Sequence, residues 1–287
     1  MGFEFGVLFA FGALVFWGVG DFLIQRTARR IGDWEALLAI TAFGALALTP
    51  FVLGDLGFVR ENFSVLLLVS GTLFAASLLD FEALKQGKIA IIEPVMALEV
   101  PVSATLAFVL ISEEVNALQA LLIAVIIAGI VLVSLKSTHL KEKKWIEKGA
   151  VLAVLASALM GASGFLVGFA SRETSPFIAN WFSSLFMAVA CLAYLSFKGR
   201  LAGAWEDFMQ NKRLVLAVSF VDNAAWVCFA FAVITIPIAI AMALSESYVA
   251  LAALLGVVVS KERLLNHQRL GVFVVIAGAV VLAAMTA

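Results

Sequence analysis

The sequence predicts an all-α polytopic membrane protein with ten transmembrane helices, arranged as two inverted five-helix repeats. Its composition excludes a water-soluble fold. Of 287 residues, 63% are hydrophobic and 14% are charged, and the mean hydropathy is +1.09; soluble domains are about half apolar and about a quarter charged. Two further observations predict the helix count and the repeat: ten apolar runs of membrane-spanning length, and polar residues that recur at a nearly fixed spacing.

Each predicted helix is an apolar run of about 20 residues, the length that crosses a hydrocarbon core of ~30 Å. The most polar connection runs from Lys136 to Lys148, near the middle of the chain, and is the predicted linker. We therefore expect one repeat over residues 1–140 and the other over 141–287. The predicted spans are 5–25, 34–53, 63–84, 89–111, 117–136, 149–171, 177–197, 214–234, 236–258 and 267–286.

The two halves share residues that recur 148 or 149 positions apart. Because each half has an odd number of crossings, the second half enters the bilayer inverted relative to the first, an arrangement found in secondary transporters. The matching stretches are Ser112-Glu113-Glu114 with Ser260-Lys261-Glu262, Gln119 with Gln268, and Ile127-Ala128-Gly129 with Ile276-Ala277-Gly278.

The loop charges test this alternation of the helices. If all ten runs cross, 17 of the 19 basic residues lie on one side and only Arg60 and Arg172 lie on the other. The positive-inside rule then places the basic loops in the cytoplasm and both termini outside a cell membrane. Residues Met1 to Glu4 lack the basic start of a signal peptide, so the first apolar run is expected to remain as a crossing.

Functional chemistry is expected where the bilayer penalises charge, since an ionised residue at a helix centre costs about 2.5–3.5 kcal/mol. Glu99, Asp222 and Glu246 lie near the predicted midplane. The two glutamates are 147 positions apart, so we expect them to face each other across a pseudo-two-fold axis. Nearby carboxylates oppose each other's ionisation, which suits proton coupling. The alternative is a permanently neutral acid that joins helices by hydrogen bonds.

The residues beside the two glutamates add to the predicted site. Pro94 and Pro101 each remove a backbone N–H from the fourth helix, which predicts helix breaks that line a cavity or, alternatively, a purely structural kink. The corresponding segment of the second half reads Ser245-Glu246-Ser247-Tyr248. We predict that these four residues bind substrate or protons.

Four further residues are candidates for contact with a substrate or for control of access. Trp17 and Trp226 lie within predicted spans and offer rings on which a substrate can stack. Asp21 and Asp80 lie within two turns of the predicted cytoplasmic ends and are candidates for a cytoplasmic gate. Their alternative role is ion pairing with basic residues at the interface. Small residues at helical spacing are expected to let the sixth helix pack closely: Ser157, Gly161, Gly164 and Gly168.

Several classes of function find no support in the residues. The only histidines, His139 and His267, lie at or beside loops, and no catalytic set or phosphate-binding glycine loop with its lysine is present. Cys191 and Cys228 are expected to be small core residues, so we expect no metal and no cofactor. The basic residues occupy short loops, which excludes a nucleic-acid partner. The expected partners are a small-molecule substrate and the bilayer, for a monomer or a homodimer.

The order of several motif residues resembles the EamA-type half of the drug/metabolite transporter superfamily, and does so twice. The resemblance covers nearly the whole chain. It implies a ten-helix secondary transporter with a central cavity, which moves a small solute by alternating access. Leu122 stands where the second copy has Gly271, and Glu99 is unusual for its position, so no substrate is carried over. The matching residues are Phe81, Ala83, Leu84, Pro94, Glu114, Gln119 and Gly129, then Pro237, Glu262, Gln268, Gly271 and Gly278.

These observations favour a secondary active transporter of a small metabolite, amino acid or amine, with proton-coupled efflux. The acidic midplane favours a cationic or zwitterionic substrate. The alternatives are a sodium-coupled or facilitative uptake carrier, and a membrane receptor or scaffold that binds a ligand without flux.

Overall fold

The computed structural model describes residues 2–86, 95–96, 98–134, 148–251 and 265–286, and all the regular elements among them are α-helices. These helices are α1 (Phe3–Ile31), α2 (Asp33–Val52), α3 (Leu56–Glu61), α4 (Phe63–Gln86), α5 (Glu99–Ile111), α6 (Ala117–Ser134), α7 (Lys148–Glu173), α8 (Pro176–Phe197), α9 (Leu201–Gln210), α10 (Lys212–Val233), α11 (Ile238–Glu246) and α12 (Asn266–Thr286).

Seven of the described helices are long and apolar enough to cross a membrane: α1, α2, α4, α7, α8, α10 and α12. Three shorter apolar helices, α5, α6 and α11, lie in the remaining predicted spans. The chain is therefore a polytopic, all-α membrane protein. Ten crossings stay a prediction, because parts of those three spans fall outside the described residues. The same is true of the predicted linker between the halves.

The first helix is longer than predicted and carries its basic residues on two extra turns. It continues to Ile31, where Gly32 adopts a φ of 99°, a backbone conformation that favours glycine. Arg26, Arg29 and Arg30 lie on these turns with exposed side chains. The turns extend past the predicted span because long arginine side chains keep their charge in a polar environment while the helix continues.

The closest helix pairs join the predicted halves. They are α4 with α7, α1 with α10, α6 with α12 and α2 with α8. In order along the chain, the counterparts of α1, α2, α4 and α6 in the second half are α7, α8, α10 and α12. Exchanging each helix with its counterpart turns the α4–α7 pair into the α10–α1 pair and leaves the α2–α8 and α6–α12 pairs unchanged. Two halves related by a pseudo-two-fold axis produce this pairing. The boundary between them stays a prediction.

Ion pairs gather several helix ends at one face, which we call the basic face. The Lys85 Nζ lies 3.0 Å from an oxygen of Asp33, and Arg200 pairs with Glu35. Asp33 and Glu35 lie in the first turn of α2, Lys85 lies at the end of α4, and Arg200 follows α8. At this face, therefore, α1, α4 and α8 end and α2 begins.

The opposite half of the molecule is filled by apolar side chains. Where α2 ends and α8 begins, the rings of Phe51 and Phe177 stack with their centroids 4.9 Å apart, and Phe177 meets Phe231 edge-on. Because these side chains are closely packed, they leave little space between the helices at this face. Fully buried residues of this core include Ala10, Ala13, Phe229, Val233 and Ile238.

Glycines on α7 let two other helices approach it closely. A Cβ added to Gly161 would lie 2.6 Å from the carbonyl oxygen of Glu99, and one added to Gly164 would lie 2.9 Å from the Sδ of Met242. The prediction that these small residues allow close packing is therefore confirmed. Since Glu99 begins α5 and Met242 belongs to α11, these glycines fix the position of the two helices that carry Glu99 and Glu246.

We expect Gly161→Ala to lower the thermal unfolding midpoint of the purified protein in detergent. The added methyl group would meet the backbone of Glu99, and overpacking of this kind costs about 1–3 kcal/mol. The matched control is Gly71→Ala on α4, where no atom lies within 4 Å of the added Cβ. Equal midpoints for the two variants would contradict the close approach of α5 to α7.

Candidate functional site

A cavity of about 1020 Å³, its open mouth included, lies among eight helices of the structure. Five carboxylates from five different helices line it: Asp21 on α1, Asp80 on α4, Glu99 on α5, Asp222 on α10 and Glu246 on α11. Among the described residues that line it there is no lysine, arginine or histidine. The cavity is therefore acidic, and the predicted midplane carboxylates belong to one site.

The cavity reaches toward the basic face. Its lining includes Leu37, four residues after the start of α2, and Leu84, two residues before the end of α4. On α1 the lining residues are Trp17, Asp21 and Ile24, in the second half of that helix. The fully buried apolar core lies on the other side of these residues. The carboxylates thus lie between a packed half of the molecule and the basic face.

Asp21 interacts with several other carboxylates of the cavity. Its carboxylate accepts a hydrogen bond from the hydroxyl of Tyr248, and it interacts electrostatically with Asp80, Asp222 and Glu246. Like charges repel more strongly in a low-dielectric interior than in water. A cation placed among these side chains would offset that repulsion.

Both glutamates lie where α-helical hydrogen bonding is interrupted. The amide of Leu98 bonds to the carbonyl of Val95, three residues earlier, and α5 begins at Glu99. At the other glutamate, α11 ends at Glu246 and the amide of Ser247 bonds three residues back, at 3.2 Å. The sequence predicted Glu99 well inside the fourth helix, but in the structure Glu99 is the first residue of α5. Helix ends near the midplane are a feature of transporter binding sites.

Two tryptophans complete the wall next to the carboxylates. Trp17 and Trp226 both line the cavity, and their rings meet edge-on with centroids 5.3 Å apart. Phe229 packs behind both of them. An indole face binds a cation favourably because of its negative quadrupole. The structure therefore brings the two predicted aromatic residues to the acidic cluster.

Two of the predicted polar residues lie outside the cavity lining. The hydroxyl of Ser245 donates to the carbonyl of Ala241 at 2.6 Å, and that of Ser247 donates to the carbonyl of Ala243 at 2.8 Å. Neither serine lines the cavity, whereas Glu246 does. Consecutive helical residues point about 100° apart, so neighbours of a lining residue face elsewhere.

The predicted helix breaks have a different basis from the one expected. Pro101 is the third residue of α5, where the missing N–H leaves no helical hydrogen bond unmade. It does not line the cavity, and the interruption lies before Glu99 instead. Pro94 falls outside the described residues.

The two gate candidates lie within the cavity wall. Lys85, the basic residue nearest in sequence to Asp80, pairs with Asp33 and Glu82 instead. Asp21 and Asp80 interact with the other cavity carboxylates, so the structure places them in the same cluster as Asp222. The alternative role, ion pairing at the interface, is seen instead at Asp33 and Glu82.

Neutral polar residues form a second wall that the sequence reasoning missed. The side-chain amide of Asn223 donates to the carbonyl of Ile40 at 3.0 Å, and that of Asn180 donates to the carbonyl of Trp226. The signal that could have identified both asparagines is a polar side-chain amide within a predicted membrane span. Members of this wall are Thr41, Asn180, Ser183, Ser184 and Asn223.

The family model of the EamA-like transporter family matches residues 4–135 and, a second time, residues 147–284. The chain belongs to this family, as its motif residues indicated. It is therefore an integral membrane protein of a family that transports small molecules, which points away from an enzyme.

Among solved structures, one crystal structure of a protein is similar over 98% of this chain and 97% of that chain, with a TM-score of 0.75 and 16% sequence identity. At this level of identity, the likeness shows a shared fold. A search of curated proteins found no match.

We expect Asp80→Asn to raise the unfolding midpoint of the purified protein. The amide has nearly the same shape as the carboxylate but cannot ionise, so it removes the cost of a buried acid beside Asp21 and Asp222. A gain of about 1 kcal/mol corresponds to about 2–4 °C in a protein of roughly this size. The control is Asp55→Asn at an exposed position between α2 and α3, which should leave the midpoint unchanged. A lower midpoint for Asp80→Asn would contradict mutual repulsion in the cluster.

Proposed function

We propose that this protein is a secondary active transporter that moves a small metabolite, amino acid or amine by alternating access, with proton-coupled efflux. The observation that carries the proposal is the cavity, where five carboxylates converge and no described lining residue is basic. Such a site favours a substrate with a positive charge, because that charge offsets the repulsion among the carboxylates.

Proton coupling follows from competition at the same carboxylates. A proton and a substrate cation both neutralise negative charge in this cluster, so binding of one disfavours the other. If each is released on the opposite side of the membrane, the inward flow of protons drives the substrate out. Glu99 and Glu246 are the proposed proton-exchange groups, and Asp21 and Asp80 act electrostatically on Glu246.

The aromatic residues of the cavity wall favour an ammonium group on the substrate. Trp17 and Trp226 lie beside the carboxylates, and an ammonium ion over an indole face gains about 0.5–2 kcal/mol. Amines and amino acids both meet this description.

The proposed orientation gives the direction of transport. With the basic face in the cytoplasm, a cavity that reaches toward Leu37 and Leu84 is accessible to a substrate from inside the cell. This is the state in which an exporter takes up its load. The pairing of helices across the two halves supports repeats over residues 1–140 and 141–287, each of which contributes one glutamate at a helix end.

We expect Glu99→Gln and Glu246→Gln each to reduce coupled flux by about tenfold or more, the effect of about 1.4 kcal/mol. Glutamine keeps the size of the side chain but can neither ionise nor exchange a proton. The measurement is the pH change inside proteoliposomes when amines, amino acids and nucleosides are added in turn, with a proton gradient present. Glu206→Gln, at an exposed position on α9, is the matched control.

The same assay separates the competing functions. Wild-type flux and wild-type pH dependence in both cavity variants would overturn the assignment of the two glutamates. Flux that follows a sodium gradient instead of a proton gradient would identify a sodium-coupled carrier. Saturable binding without flux would identify a receptor.

A further inference from the structure

An arginine binds three acceptors at the face opposite the basic face. The Nε of Arg172 donates to the carbonyl of Val233 at 2.7 Å, and its Nη2 donates to the carbonyl of Ile236 at 3.2 Å and to the Oε1 of Glu113 at 2.8 Å. The Oε2 of Glu113 accepts from the amide of Ile238 at 2.7 Å. We call these five residues the Arg172 cluster and this side of the molecule the Arg172 face.

The cluster connects four helices at their ends. Arg172 lies in the last turn of α7, Val233 ends α10, Ile238 begins α11, and Glu113 follows α5 by two residues. The first amides of a helix have no partner within it and carry the positive end of its dipole, so the Glu113 carboxylate stabilises the start of α11. The Glu113 side chain is only 9% exposed, which limits replacement of these bonds by water.

The cluster also acts on the helices that carry the cavity glutamates. α5 runs from Glu99 in the cavity toward Glu113, and α11 runs from Ile238 to Glu246. Both helices are thus fixed to one point at their far ends. Separation of α5 from α11 at the Arg172 face requires that the bonds of Glu113 break.

A related contact at the basic face supports a role within the repeat. The Nη2 of Arg29 donates to the carbonyl of Leu84 at 3.3 Å. Arg29 precedes Arg172 by 143 residues and Leu84 precedes Val233 by 149, close to the spacing of the repeat. The helices α1 and α4, which these residues end, are the counterparts of α7 and α10. An arginine at the end of α1 therefore binds the end of α4 at the basic face, and an arginine at the end of α7 binds the end of α10 at the Arg172 face.

We propose that Arg172 and Glu113 are positioning residues that hold the Arg172 face closed while the cavity is accessible from the basic face. The proposal rests on the alternating access proposed above. Ionised partners make these hydrogen bonds stronger than neutral ones. The planar arginine group reaches several acceptors at once, and a lysine ammonium does not reproduce that geometry. Loss of the cluster shifts the population toward a state open at the Arg172 face.

Two introduced cysteines, used one at a time as reporters, distinguish the two states without any substrate. Ser171→Cys lies beside Arg172, at a position that is 3% exposed and whose hydroxyl has no hydrogen-bond partner in the described part of the chain. Ser77→Cys lies in the cavity wall. Each reporter is labelled with a membrane-impermeant maleimide in the purified full-length protein. The parent chain gives the background from buried Cys191 and partly buried Cys228.

We expect Glu113→Gln to increase the labelling rate of Ser171→Cys by about tenfold, within the usual range of conformational coupling. The labelling rate of Ser77→Cys should fall in parallel, because the cavity closes at the basic face when the other face opens. Arg172→Lys should have the same two effects and serves as a second variant if Glu113→Gln folds poorly. The matched controls are Glu114→Gln, the exposed neighbour, and Arg60→Lys, the other basic residue predicted on this face.

Only a reciprocal change supports the proposal. A rise at Ser171→Cys without a fall at Ser77→Cys would show local loosening and overturn it, as would unchanged rates at both reporters. If the protein transports substrate but Glu113→Gln leaves the labelling rates of both reporters unchanged, this inference is refuted and the transporter assignment stays intact. Reciprocal labelling in a protein without flux supports the inference and refutes the proposed function.

Discussion

The cost of burying several carboxylates close together inside an apolar helical bundle is the constraint on which the rest of this structure depends. Asp21, Asp80, Asp222 and Glu246 act on one another, and the described lining of their cavity has no basic side chain. A membrane interior tolerates such charge only beside water, a proton or a cation. The open space, the hydroxyl of Tyr248 and the two tryptophans are all placed where they lower this cost.

Close packing between the carboxylates and the Arg172 face leaves the cavity open only toward the basic face. Gly161 and Gly164 allow α5 and α11 to approach α7 closely, and fully buried apolar residues fill the space toward the Arg172 face. At the Arg172 face, Arg172 and Glu113 join four helix ends through charged hydrogen bonds. Small residues and the Arg172–Glu113 ion pair thus hold the helices together on this side of the cavity.

Much of the fold was readable because membrane solvation acts on local sequence. Long apolar runs gave all the described helices that are long enough to cross, and the glycine spacing of α7 gave a packing face. The site was only partly readable. Asp21 and Asp80 looked interfacial from their distance to the helix ends, and Ser245 and Ser247 looked functional from their position beside Glu246. Which way a helix faces depends on its neighbours, and the sequence gives no direct measure of that.

By itself, the sequence determined the class of protein, the approximate helices and the presence of carboxylates near the midplane, since hydropathy and charge are local properties with a large free-energy cost in a bilayer. Only the tertiary structure decided that these carboxylates share one cavity with Asp21 and Asp80, and that asparagines, serines and a threonine also line it. It alone placed Arg172 against Glu113, residues 59 positions apart in sequence. Such contacts arise from the packing of helices from both halves, which no local pattern encodes.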